Sequence, residues 1–180
     1  MLLSDFDFEL PEELIAIRPA SPRSSARLLV AGGDKIYDGL VNELPKFLKS
    51  GDRLVLNDTK VLPVRMNGVR NRLFDSKIIA SANIEVTLLT KENQRTWRAL
   101  IKPLRRMKLG EKIIFDKSFH AKLIDKIDGQ ALLQFNIEGT EFIKRLEDLG
   151  IMPLPPYIAS KRRADERDNV DYQSVFARNS

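Results

Sequence analysis

The feature that most constrains the fold is a series of short stretches between Val64 and Ile137 in which apolar and polar residues alternate. The stretches are 84–88, 96–101, 112–115, 121–127 and 131–135. Asp128-Gly129 separates the last two and is a strong signal for a two-residue β-hairpin. Several short strands at this spacing predict a small β-barrel. Trp97 is expected to pack in its core, because large aromatic side chains dominate small cores.

The segments before and after this region mix helix and strand patterns. Pro11 to Arg18 is predicted as a helix, with proline in the first turn and acidic residues near the positive end of the helix dipole. A hairpin is predicted at 26–37, and the apolar residues of 41–48 form one helical face. Further along, 140–149 is predicted as a helix closed by Gly150. The chain therefore changes from α/β to β character near Val64 and returns to α/β character near Thr140.

A polar cluster, Asn57-Asp58-Thr59-Lys60, follows the apolar run 54–56. A short apolar run of this kind predicts a buried strand, and open α/β sheets place ligand sites at the carboxyl ends of their strands. The alternative is a polar turn that only caps a core strand, since Asn, Asp and Thr are common turn residues. Pro63 indicates a sheet edge or a crossing point between two units, because proline cannot donate to a sheet ladder.

Composition excludes several kinds of chemistry. The 180 residues include no cysteine and one histidine, which argues against thiolate nucleophiles and against metal sites built from these residues. No glycine-rich loop ending in Gly-Lys-Ser or Gly-Lys-Thr occurs, which disfavours nucleotide hydrolysis of that type. The apolar runs are too short for a membrane span, and the N-terminus lacks the signal-peptide pattern. We therefore expect a cytoplasmic protein that needs neither a metal nor a membrane.

The basic excess is concentrated in two short stretches. Residues 60–72 contain four basic side chains and no acidic one, and residues 102–112 contain five basic side chains against Glu111. The net charge of the whole chain is only +5, so the remainder is acidic on balance. Such a distribution is expected for contact with a phosphate backbone. A solvated lysine-rich face is the alternative explanation.

Five stretches together resemble the S-adenosylmethionine:tRNA ribosyltransferase-isomerase family of queuosine biosynthesis. They are 8–16, 23–29, 57–63, Lys102-Pro103 with Gly110, and 150–158 followed by Asp171-Tyr172-Gln173. Each stretch alone is modest evidence. In this order, and spread over nearly all of the chain, they are highly specific.

The resemblance implies an enzyme that transfers and isomerises the ribosyl moiety of S-adenosylmethionine, its co-substrate. The acceptor is 7-aminomethyl-7-deazaguanine in a tRNA with a GUN-type anticodon, and the product is epoxyqueuosine-tRNA. The implied fold is a layered α/β domain interrupted by an inserted small β-barrel. Residues 1–63 are then the first part of the α/β domain, 64–138 the barrel and 139–180 the return segment. A monomer is expected.

The resemblance also includes a departure from the family pattern. Related chains continue beyond the Tyr172-Gln173 segment into a long further α/β portion, whereas this sequence ends at Ser180. The α/β domain is therefore expected to be incomplete and the truncated chain to be inactive alone. Two alternatives stay open, namely an RNA-binding module without catalysis and an inactive fragment.

The implied chemistry needs a base beside the sulfonium, and a carboxylate, lysine or tyrosine near neutral pH meets that need. The candidates in the matched motifs are Asp58, Lys60, Tyr157 and Asp171. Binding residues are expected from the same motifs and from the basic stretches. Asn57 and Thr59 would orient substrate, with Tyr172 and Gln173 as further substrate-binding candidates. The candidates for the methionine carboxylate and tRNA phosphates are Arg23, Arg27, Arg65 and Lys102, with arginine suited to bidentate contacts.

Overall fold

A computed structural model describes residues 2–75 and 77–177. The described chain divides into two compact units. The first comprises residues 2–60, 156–163 and 173–177, and the second comprises 61–75, 77–155 and 164–172. The predicted domain boundaries at 63 and 138 stay a prediction.

The secondary structure of the described residues is mainly β. The strands are β1 (Arg27–Gly32), β2 (Lys35–Leu40), β3 (Arg65–Phe74), β4 (Lys77–Lys91), β5 (Thr96–Lys102), β6 (Lys112–Ile114), β7 (His120–Ile127) and β8 (Gln130–Phe135). The α-helices are α1 (Gly139–Leu149), α2 (Pro156–Ala159) and α3 (Asp168–Asp171). Short 3-10 helices occupy Leu3–Phe6, Glu12–Leu14, Arg23–Ser25, Val41–Phe47 and Leu104–Arg106.

The second unit contains a closed antiparallel β-barrel, which confirms the barrel prediction. Its strand order is β3-β4-β5-β8-β7-β6, and β6 pairs back onto β3. The predicted hairpin at Asp128-Gly129 is also confirmed, with Ile127 opposite Gln130. Asp128 and Gly129 have φ angles of 50° and 77°, as a type I′ turn requires at both central positions. Local turn chemistry therefore fixes the register between β7 and β8.

The barrel interior is filled by buried side chains that alternate with more exposed ones along parts of the strands, as at residues 84–88 of β4 and 130–135 of β8. Met66, Val86, Ile113 and Leu133 are fully buried there. Trp97 packs against this core and stacks on Phe142 with ring centroids 5.4 Å apart, which confirms its predicted core position. Interior alternation of this kind is what a small barrel filled by side chains requires.

Helix α1 packs one face on the barrel core through Phe142 and Leu146. It ends at Gly150, where a Cβ atom would collide with the carbonyl oxygens of Pro63 and Leu146. Glycine is therefore required at this helix end by a close backbone approach, and the predicted helix is confirmed. Among the helices of the described residues, none is long and apolar enough to cross a membrane.

The first unit departs from two of the predicted helices. Strands β1 and β2 form the predicted hairpin, with Leu28 opposite Gly39. The helix predicted from Pro11 to Arg18 is wrong beyond one 3-10 turn at Glu12–Leu14. The helical face at 41–48 is a 3-10 helix, Val41–Phe47, with Pro45 inside it. Proline removes a backbone donor, which opposes a regular α-helix there.

The buried strand predicted at Leu54, Val55 and Leu56 is wrong. These residues form no strand, and Val55 is 84% exposed. Since no strand among the described residues pairs with this run, it has neither a ladder nor a neighbouring layer to bury it. The sheet of the first unit is two-stranded in the described residues, and the layered α/β architecture stays a prediction.

Candidate functional site

Asn57 and Thr59 of the polar cluster 57–60 form an Asx turn in the first unit. The Oδ1 atom of Asn57 accepts hydrogen bonds from the backbone N–H of Thr59 at 3.0 Å and from its hydroxyl at 2.6 Å. An Asn side chain that bonds two residues ahead is an ordinary Asx turn. Asn57 and Thr59 therefore hold the loop in shape, and the side chain of Asp58 between them is exposed.

A pocket of about 430 Å³ lies beside this turn. It is lined by Leu56, Asp58, Val175, Phe176 and Ala177. The hydroxyl of Ser174 donates to the backbone carbonyl of Asn57 at 2.9 Å, which ties the two segments together. The pocket therefore combines one carboxylate with an aromatic and aliphatic wall, a composition common in small-molecule sites.

Other predicted residues of the first unit lie outside the lining of this pocket. Arg23 donates to the backbone carbonyl of Gln173 at 3.4 Å, so the structure brings these two candidates together. Arg27 donates to both oxygens of Asp38 at 3.1 Å across the β1–β2 hairpin. Arg27 therefore already contacts a carboxylate of its own hairpin through one guanidinium nitrogen. Tyr157, on α2, and Lys60 are exposed.

Four predicted residues belong to the second unit. Arg65 is half-buried at the start of β3, and its Nε atom has no hydrogen-bond partner among the described residues. Lys102 ends β5, with Nζ 3.9 Å from a carboxylate oxygen of Glu85. The carboxylate of Asp171 lies 3.4 Å from Nε of Arg167 and is mostly buried. The remaining candidate, Tyr172, follows α3 and is half-buried.

Sequence reasoning missed an ion cluster centred on Glu111. This carboxylate accepts 2.7 Å hydrogen bonds from Nε of Arg72 and from the backbone N–H of Lys108, and it lies 3.7 Å from Arg70. Burial opposes ionisation, but the hydrogen bonds from Arg72 and the Lys108 amide outweigh it, so the pKa of Glu111 lies below its ordinary value. The signal that could have identified this position is that Glu111 is the one acidic residue within the basic stretch 102–112.

The two arginines of this cluster also fasten the loop before β6. Arg70 and Arg72 donate to the backbone carbonyl of Arg106 at 2.7 and 3.0 Å. Arg70 is buried, so this member of the basic stretch 60–72 holds the barrel together and does not reach solvent. In residues 2–75 and 77–177, no three His, Asp or Glu side chains group closely enough to hold a metal ion.

The closed barrel of the second unit and the pocket of the first unit define a two-unit protein with a candidate small-molecule site. The chain belongs to the queuosine biosynthesis protein family, whose sequence profile matches residues 3–180. The resemblance drawn from the five sequence stretches is thereby confirmed.

Two relatives illustrate the match. The S-adenosylmethionine:tRNA ribosyltransferase-isomerases of Roseobacter denitrificans and Ruegeria pomeroyi are 57% and 56% identical to this chain over 180 residues. Each alignment covers 100% of this chain and 51% of the relative, so the chain spans about half the length of the curated relatives it matches.

A solved structure is also similar in sequence. The S-adenosylmethionine tRNA ribosyltransferase of Thermotoga maritima is 28% identical and aligns with 87% of this chain and 53% of its own. The TM-score is 0.37, so the superposition supports no argument about the fold.

Proposed function

We propose that this chain takes part in transferring and isomerising the ribosyl moiety of S-adenosylmethionine onto 7-aminomethyl-7-deazaguanine in tRNA. The product is epoxyqueuosine-tRNA, with adenine and methionine released. The observation that carries the proposal is the family match over residues 3–180, together with relatives of that activity at 57% identity. The similarity extends through both units rather than through one motif.

We assign the chemical roles as follows. Asp58 or Asp171 is the base that removes the proton beside the sulfonium, with Lys60 and Tyr157 as the other groups of suitable type. Support for Asp58 comes from its place in the lining of the 430 Å³ pocket, where Phe176 offers an aromatic face. An aromatic side chain of this kind suits a flat heterocycle such as adenine.

The binding roles rest on charge and hydrogen-bonding capacity. Arg23, Arg65 and Lys102 are assigned to anionic groups of the substrates, as is Arg27 once Asp38 is displaced. Asn57 and Thr59 shape the loop that presents Asp58, and Tyr172 and Gln173 contribute further substrate contacts. The tRNA carries a GUN-type anticodon, and the protein is a cytoplasmic monomer that uses S-adenosylmethionine without a metal.

The architecture of the first unit is part of the proposal. Its many exposed apolar side chains, including Phe8, Leu29 and Val55, support a layered α/β domain in which further polypeptide covers them. On this proposal residues 1–63 and 139–180 contribute to that domain, and 64–138 form the inserted barrel.

Adenine release from S-adenosylmethionine tests the function directly. The 180-residue chain is assayed alone and as a chimera that continues into the second half of the Roseobacter denitrificans relative, with deazaguanine-modified tRNA as acceptor. We expect adenine from the chimera only when the modified tRNA is present, and none from the chain alone. A folded chimera that binds S-adenosylmethionine but releases no adenine, while the intact relative turns over, refutes the proposal.

Asn substitutions in the same chimera separate the two candidate bases. Loss of a general base costs roughly 10²- to 10⁴-fold in rate. We therefore expect a loss of that size from either Asp58→Asn or Asp171→Asn, and little change from Asp34→Asn, which removes an exposed carboxylate in the β1–β2 turn. Normal turnover in both Asp58→Asn and Asp171→Asn excludes a carboxylate base at these positions.

A further inference from the structure

A cleft of about 630 Å³ lies on the outer surface of the barrel, beside β3, β4 and β6. Its charged and apolar lining includes Arg72, Ile79, Lys108, Glu111, Lys112 and Ile114. The side chains of Lys112 and Ile114 point outward, because Ile113 between them is fully buried in the barrel core. All of these lining residues belong to the second unit.

The carboxylate of Glu111, which lines this cleft, is already paired within the protein. Both oxygens of Glu111 are engaged, one by Arg72 and the other by the backbone N–H of Lys108. The side chains of Lys108 and Lys112 are exposed and make no ion pair with any described residue. Two lysine charges therefore remain uncompensated along the lining.

A third lysine lies at the rim. Lys122 on β7 is directly opposite Lys112 on β6, and a Cβ atom added to Gly110 of the lining would meet Cε of Lys122 at 3.9 Å. Like charges directly opposite in an antiparallel pair are unfavourable. Opposite charges face each other on the neighbouring strands instead, since Glu85 on β4 lies opposite Lys102 on β5.

We propose that this lysine cleft, formed by Lys108, Lys112 and Lys122, binds the phosphate backbone of RNA. The choice of RNA rests on the proposed function, in which tRNA is a substrate. Phosphates supply the anions that the three lysines lack within the protein, and lysine acts as a point charge toward them. Ile79 and Ile114, which are 64% and 40% exposed, offer apolar surface to ribose and base on the same wall.

The test is tRNA binding by the full 180-residue chain and by its K112Q/K122Q variant. Fluorescence anisotropy with an in vitro transcribed GUN-anticodon tRNA is recorded over a salt series. Each lost phosphate contact lowers the slope of log affinity against log salt by about 0.7 to 0.9. When two contacts are lost, the affinity deficit of the variant relative to wild type is therefore roughly 25- to 60-fold larger at 0.1 M salt than at 1 M salt.

Two further variants act as controls. K91Q/K117Q removes the same charge from exposed barrel lysines outside the cleft and is expected to retain nearly full affinity. K112R/K122R keeps the charge and is expected to restore binding. Removing the opposed charges should leave the thermal midpoint of K112Q/K122Q unchanged or raised, so lost binding is not explained by unfolding.

Four results overturn the proposal. They are no binding of tRNA by the wild-type chain at low salt, equal losses in K112Q/K122Q and K91Q/K117Q, an unchanged salt slope in K112Q/K122Q, and equal competition by polyglutamate. The last would indicate an acidic protein as the partner. Because adenine release is measured in a separate assay, loss of tRNA binding in K112Q/K122Q supports the lysine cleft even if the chimera proves inactive.

Discussion

Replacing Glu111 by glutamine should destabilise the barrel, because this carboxylate pairs with two arginines of β3. Glutamine keeps the size of the side chain and can still accept one hydrogen bond, but it removes the charge between Arg70 and Arg72. The side chain of Glu111 is only 15% exposed and that of Arg70 only 6%, so solvent screens their interaction weakly. The change therefore leaves a buried guanidinium without its counter-ion.

The size of the effect follows from the two contacts that are lost. A hydrogen bond to a charged group contributes about 1.5–3 kcal/mol. Removing one partner of a buried ion pair costs about 3–5 kcal/mol. Arg72 is 36% exposed, and Arg70 lies 3.7 Å from the carboxylate, so each contact contributes less than these full figures and the two are not simply added. We expect Glu111→Gln to lower the free energy of unfolding by about 2–4 kcal/mol.

Urea unfolding followed by tryptophan fluorescence measures this loss. Trp97 is the only tryptophan of the sequence and packs on the barrel core, so its signal reports on the barrel. Glu92→Gln is the matched control, because Glu92 and Arg98 form a more exposed ion pair on the same barrel. A much smaller change in stability is expected from this variant. Equal shifts of the urea midpoint in Glu111→Gln and Glu92→Gln would refute a stabilising role for the Glu111 ion cluster.

The pH dependence of the stability difference tests the same interaction independently. The folded-state pKa of Glu111 is lowered, so its contribution to stability is fully present above the unfolded-state pKa. That contribution is lost as the pH falls through the folded-state pKa. The stability difference between wild type and Glu111→Gln should therefore be largest at neutral pH and shrink in acid below the ordinary glutamate range.

Two packing substitutions make further predictions that the same unfolding assay checks. Gly68→Ala places a Cβ 2.6 Å from Cγ2 of Ile113, so we expect overpacking to cost about 1–3 kcal/mol, and an unchanged urea midpoint would contradict the close strand approach. Phe142→Ala removes the ring that stacks on Trp97 and opens a cavity, so we expect a loss of about 3–5 kcal/mol with altered tryptophan emission. Retained emission and stability would show that α1 does not pack there.

The barrel was predictable because its determinants are local. Alternation identified five of the six barrel strands, all except β3, and Asp128-Gly129 fixed one hairpin through backbone conformations that few residues adopt. The length of β4, Lys77–Lys91, was missed since the exposed residues at its start lack the alternating pattern. Closure between β3 and β6 depends on pairing distant segments, which a pattern within one strand does not encode.

The first unit was less predictable because its apolar residues are not organised by a local partner. Leu54, Val55 and Leu56 have the composition of a buried strand, but burial needs a ladder and a covering layer. Likewise, Glu12 and Glu13 begin a turn as expected, but the described chain supplies no extensive packing for a longer helix. Helices in proteins depend mainly on such packing rather than on propensity.

The candidate pocket was half predictable for a similar reason. The polar residues Asn57 and Asp58 stand out in the sequence, whereas Phe176 and Ser174 do not. The bond from Ser174 to Asn57 joins residues 117 positions apart. Only the folded chain shows that an aromatic wall lies beside the carboxylate of Asp58.

The basic stretches contain two kinds of residue that the sequence alone does not distinguish, namely residues paired within the protein and residues without an acidic partner in the described chain. Arg70 and Arg72 belong to a basic stretch, but their guanidinium groups contact Glu111 and the carbonyl of Arg106. Lys112 has no such partner in the described chain and faces another cation, Lys122, from outside the predicted stretch. Strand register rather than charge density therefore selects the residues available to an anion, because only register determines which cations oppose each other.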